Sequence, residues 1–122
     1  MVPMTTTAAA PANEVHLRGR VSGAPEQRDL PSGDVLVQLR VVIPRPTTRS
    51  RAGSSGSTQR VDTIDVSCWS ARARAAALRL DDGVGVEVTG ALRRRFFRTG
   101  SGAASRYDVE ATSLRKVSLT EP

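Results

Sequence analysis

The sequence predicts an all-β chain, a barrel of five strands with one short helix between strands three and four. Three observations carry that prediction. Apolar and polar residues alternate with a period of two from Val15 to Val21 and from Val35 to Ile43, the pattern of strands with one buried face. Helical spacing occurs in one short segment, near Ala71 to Leu80. Two longer strand-like stretches follow it, joined by a glycine-rich turn. The 122 residues fit one compact domain and are too few for two ordinary cores.

Taken in order, residues 1–12 have neither periodicity nor enough apolar surface to offset ordering entropy, and are expected to form a disordered lead-in. The domain is expected over 13–118. In its first strand Val15, Leu17, Gly19 and Val21 alternate with Glu14, His16, Arg18 and Arg20. After the Pro31-Ser32-Gly33-Asp34 turn, the second places Val35, Val37, Leu39, Val41 and Ile43 on one face. Pro44 and Pro46 end it, because proline cannot donate to a ladder. Residues 44–60 are rich in Pro, Thr, Ser, Gly and Arg, including Arg45, Arg49, Arg51 and Arg60, and are expected to form a flexible basic loop. A third strand spans Val61 to Trp69. Ser70 can cap a helix over Ala71 to Leu80 whose Ala73, Ala76, Ala77 and Leu80 form an apolar stripe, and Asp81-Asp82-Gly83 stops it. Arg72, Arg74 and Arg79 are expected on its solvated face. Strands four, Val84 to Arg98, and five, Tyr107 to Val117, are joined by a hairpin at Thr99-Gly100-Ser101-Gly102. Residues 119–122 form a short C-terminal end. Three strands, a helix and two strands is the order of an OB-fold, a small barrel whose face and loops bind oligonucleotides.

Charge points to a polyanionic partner. Lys+Arg is 18 against Asp+Glu 12, a formal net charge of +6, and Lys116 is the single lysine. An arginine fork grips phosphate bidentately and stacks on rings, which a lysine ammonium does less well. Rings are scarce: Trp69, Phe96, Phe97 and Tyr107 are all there are. One cysteine, Cys68, excludes an intrachain disulfide, and with one histidine, His16, it gives no Cys/His metal cluster. A nucleophile needs a base within reach; His16 stands alone on a strand and Cys68 lies in an apolar stretch, so no enzyme, metal or cofactor is expected. Residues 1–12 make a poor signal peptide and no apolar run approaches a membrane span, so the expected setting is cytoplasmic.

Six blocks, in order and with fitting spacing, resemble the bacterial single-stranded DNA-binding protein family. They are Asn13 to Val21; Pro25-Glu26 with Pro31-Ser32-Gly33; Leu39 to Arg45; Asp62 to Trp69; Gly83 to Arg93; and Arg106 to Ala111. The resemblance covers roughly Asn13 to Val117. It implies an OB-fold, a homotetramer, and sequence-tolerant binding of single-stranded DNA in replication, repair or recombination. Of the family's aromatic stacking positions, this chain keeps Trp69 and Phe97; Thr63 and Thr47 stand where others carry rings. The family's acidic, partner-recruiting tail has no counterpart after Leu119, so the resemblance is to a short, actinobacterial-type paralogue without tail-mediated recruitment.

Adjacent residues on a strand point to opposite faces. Within Arg93-Arg94-Arg95-Phe96-Phe97-Arg98, Phe97 is therefore the ring expected to meet a base, and Phe96 is expected to pack inward or cover the barrel end. The candidate site is Trp69 and Phe97 for stacking, with Arg93, Arg94, Arg95 and Arg98 beside them, Arg18, Arg20 and Arg40 on neighbouring strands, and Arg45 and Arg60 at the basic loop. Tyr107 is expected to pack. Two other functions fit a basic OB-fold: a protein-interaction subunit pairing with a paralogue or replisome component, and RNA binding.

Overall fold

The structure, a computed structural model, describes residues 6–46 and 60–120. Thr47, Arg49 and Arg51 of the expected basic loop lie outside the described residues, as do residues 1–5 and 121–122. The elements are β1 Val15–Asp29, β2 Val35–Pro44, β3 Val61–Cys68, α1 Ala71–Leu78, β4 Gly85–Thr99 and β5 Gly102–Val117. The strands close into one barrel in the order β1-β2-β3-β5-β4. Every pairing is antiparallel except that of β3 with β5, which is parallel and short, matching Val66 to Val109 and Ser67 to Glu110. The all-β class, the five strands and the helix position agree with the sequence expectation.

The core is aliphatic. Val37, Val41, Val66, Val86 and Val88 are fully buried, as are Cys68 and Ala77, and each such valine contributes about 1.5–3 kcal/mol of burial free energy. Ala73, Ala77 and Leu80 join this core from the helix side. Ser70 caps α1, its Oγ accepting from the Ala73 amide at 3.1 Å.

β1 is longer than its alternation suggested. It runs on to Asp29 because the ladder with β2 absorbs an irregularity between Ser22 and Glu26, with Gly23 at φ 81°. The extra residues of the bulge break the period of two, so periodicity stops there while pairing continues.

How β4 and β5 are paired prepares the functional surface. β1 accompanies β4 as far as the Val15–Gly90 pair. At Gly90 the β4–β5 ladder shifts register, and a Cβ there would collide with the Glu110 carbonyl, so only glycine fits. Asn13 adds one more step with its side chain: Nδ2 donates to the Leu92 carbonyl and the Leu92 amide donates to Oδ1, both at 2.8 Å. Beyond Leu92, β4 pairs with β5 alone out to Thr99 and Gly102. This outer half is a two-stranded ribbon, and both of its faces reach solvent.

Candidate nucleic-acid interface

Register fixes which side chains share a face of the ribbon. Arg93 stands opposite Asp108, Arg95 opposite Arg106, and Phe97 opposite Ala104, so these form one face. Ser67 and Trp69 at the end of β3 complete it, because β3 lies beside β5. Asp108, only 4% exposed, is the anchor. It accepts from Ser67 Oγ and from Arg95 Nε, at 3.1 Å to Oδ1 and 3.0 Å to Oδ2. Thus held, the Arg95 guanidinium lies 5.2 Å from the centre of the Trp69 ring. Trp69 is half-buried; its Nε1 is inside and makes no hydrogen bond among the described residues. Its carbonyl accepts from Arg74 Nη1 of α1. Arg74 therefore departs from the solvated role expected of it, because its position one turn into the helix lets it reach back over the strand end.

Phe97, at 39% exposure, has Arg106 over its ring at 5.5 Å. Arg106 was absent from the candidate residues. The turn at Gly100 and Ser101 could have found it, since a hairpin centred there sets Arg106 opposite Arg95 and diagonal to Phe97.

Arg94 and Phe96 point to the opposite face, with Tyr107 and Ser105 across from them, and alternation sends Arg98 the same way. Phe96 departs from its expected inward packing. It is 73% exposed, because the inner side of the sheet is core only where the barrel closes, and the ribbon extends past that point. Tyr107, expected to pack, is 58% exposed.

The remaining candidates lie apart from Trp69. Arg18 meets Glu87 at 2.9 Å, a carboxylate also reached by His16 at 3.0 Å and Arg115 at 2.6 Å. Donation from Arg115, then from His16, holds the Glu87 carboxyl below its ordinary value. Arg20 donates to the Gly83 carbonyl at 3.2 Å. Arg40 on β2 pairs with Asp65 at 3.4 Å. Arg45 and Arg60 sit together at the far end of β3 from Trp69, roughly 25 Å along the strand. The hydrogen bond and charge of Asp62, 2.7 Å away, raise the Arg45 guanidinium further.

Arginine on the Trp69 face is therefore not bare charge. Arg93 is 3.2 Å from Glu110, and Arg95 contacts both Asp108 and Glu110. The carboxylates orient the guanidiniums and offset part of their charge. Cys68 is fully buried, and burial pushes its thiol up to about 12, which leaves it inert. Among the described residues no group of three or more His, Cys, Asp or Glu could hold a metal ion, and no helix is long and apolar enough to cross a membrane.

A closed five-stranded barrel whose outer face sets two rings among arginines defines a class of oligonucleotide-binding OB-fold proteins. The model of the single-strand binding protein family matches residues 12–117, and the chain belongs to that family. Among solved structures the chain is similar to the Plasmodium falciparum SSB in its complex with ssDNA, at a TM-score of 0.69 and 16% identity, over 91% of this chain and 99% of that one. At that identity the likeness is one of fold. No curated protein matches.

Proposed function

We propose that the chain binds single-stranded DNA with little sequence preference, stacking bases on Trp69 and Phe97 while the arginines beside them meet the phosphates. The observation that carries this reading is the shared face on which Arg95, fixed by Asp108, lies against Trp69 and Arg106 lies against Phe97. Flat rings beside cations suit a ligand of alternating bases and phosphates, and tolerate any base because every base has a π-face. Arg40, Arg18 and Arg20 extend a basic path along the barrel, and Arg45 and Arg60 lie at its far end. The role is binding without chemistry. Family membership supports a homotetramer acting on single strands exposed in replication, repair or recombination, at the nucleoid.

The test is titration with a dT oligomer and with a matched duplex, following Trp69 fluorescence at several salt concentrations. Quenching by the single strand and not by the duplex is expected, weakening with salt at a slope of about 0.7 per phosphate contacted. Phe97→Ala should weaken binding by about 1–3 kcal/mol. Equal response to duplex and single strand would defeat the reading, as would tight binding of a protein partner with none of the oligomer. Light scattering should give a mass four times that of the 13.0 kDa chain.

A further inference from the structure

The second face of the β4–β5 ribbon carries its own ring cluster. Arg94 lies between two rings, its guanidinium 5.0 Å from the centre of Phe96 and 5.5 Å from that of Tyr107. Ser105 steadies it, accepting from Nε at 3.4 Å and Nη2 at 3.2 Å. Both rings are well exposed, and Leu92 at the base of the same face is 45% exposed.

This face differs electrostatically from the part of the first that surrounds Trp69. Arg93 and Arg95 are paired with Glu110 and Asp108. Arg94, and Arg98 further out, have no carboxylate partner among the described residues. The rings of the second face are thus more exposed than Phe97, and its arginines, like Arg106 beside Phe97, are less neutralised than Arg93 and Arg95. We infer that Arg94, Phe96 and Tyr107 form a second stacking platform for single-stranded nucleic acid, which lets one strand fold over the ribbon and engage both of its sides.

Two features choose this occupant. Uncompensated arginine among exposed rings matches a chain of phosphates and bases, whereas a protein partner would have to bury Arg94 or supply a carboxylate for it. The platform is also the reverse side of the strands that carry Phe97, so a strand leaving the first face at the ribbon edge meets the second without leaving the protein. The inference rests on the reading of the chain as a single-strand binder.

The experiment replaces the native reporter and places a new one on each face in turn. In a Trp69→Phe background, Phe96→Trp and Phe97→Trp are prepared and titrated with dT oligomers of increasing length. Phe97→Trp is expected to be quenched by short oligomers. Phe96→Trp is expected to be quenched only once the oligomer is long enough to cross the ribbon edge. The double variant Phe96→Ala, Tyr107→Ala should lose affinity for the long oligomer by about fivefold or more per ring, and keep that for the short one. Quenching at position 97 without any at position 96 would overturn the second platform and leave the first reading intact. Quenching at neither would remove both. A Phe96→Trp emission that shifts with protein concentration alone would assign the face to a second copy of the chain, and overturn the platform as well.

Discussion

Arg95 and Asp108 are joined through one guanidinium nitrogen that donates to both carboxylate oxygens, at 3.1 and 3.0 Å, and this pairing sets the guanidinium against the Trp69 ring. The residues come from facing strands, and the carboxylate also accepts from Ser67 on a third. One buried anion therefore ties β3, β4 and β5 beneath the surface where bases are proposed to stack. Asp108→Ala leaves Ser67 without its acceptor and Arg95 with the longer Glu110 contact alone. It is expected to lower stability by about 1.5–3 kcal/mol in denaturant titrations, and to broaden Trp69 emission. Ser67→Ala, which leaves the arginine pair in place, should cost less.

Glu110 offsets the charge of Arg93 at 3.2 Å and contacts Arg95 at 3.5 Å. Bound phosphates compete with it for these guanidiniums. Glu110→Gln is expected to tighten single-strand binding by up to about fivefold, in keeping with about 0.2–1 kcal/mol for a solvent-exposed pair. It should also steepen the salt dependence, and titrations of both proteins across salt concentrations measure the two effects together.

Cys68 should resist alkylation in the folded protein. Burial raises its thiol from 9.0 to about 12, so the reactive thiolate is scarce at pH about 8.5, and the sulfur is out of reach. Iodoacetamide is expected to label it only in denaturant, as read by intact mass. Because the folded state keeps a proton that the unfolded state loses near 9, stability from this group is lost as pH rises from about 9 toward 12. Cys68→Ala should remove that part of the alkaline decline.

Glu87 gives the opposite slope. Arg115 and then His16 hold its carboxyl below the ordinary 4.5, so the folded state favours its charged form. The stability it contributes is present above about pH 4.5 and disappears as pH falls through the lower folded value. Thermal midpoints measured from neutral to strongly acidic pH should fall less steeply for Glu87→Gln than for the native chain.

Periodicity and turn chemistry made the barrel legible. Val35 to Ile43 alternates so regularly that the strand could be read directly, and Ser70 before Ala71 marked the helix start. Along β1, the irregularity after Ser22 hid the strand's second half. The site was legible as residue types more than as an arrangement. Trp69, Arg93, Arg95 and Phe97 share a face. The exposure of Phe96 and Tyr107 depends on β1 leaving β4 at Gly90, a contact between segments far apart in the chain. The carboxylate partners of Arg18, Arg40 and Arg93 follow from cross-strand register, which no local pattern of charge reveals.

The parallel join of β3 to β5 closes the barrel through only a short match around Val66–Val109, between strands separated in sequence by the helix and all of β4. Closing the loop between them is costly in entropy and so short a match repays little of it, whereas β4 and β5 meet through a tight hairpin and β1 pairs with β4 all the way from Val15 to Arg20. This seam should therefore be among the last parts of the molecule to assemble and the first to part. Trp69 lies on one side of it and Phe97 on the other, so a nucleic acid stacked on both rings would clasp this sparsely paired junction. Such a ligand would lengthen the lifetime of the folded chain chiefly by slowing its opening.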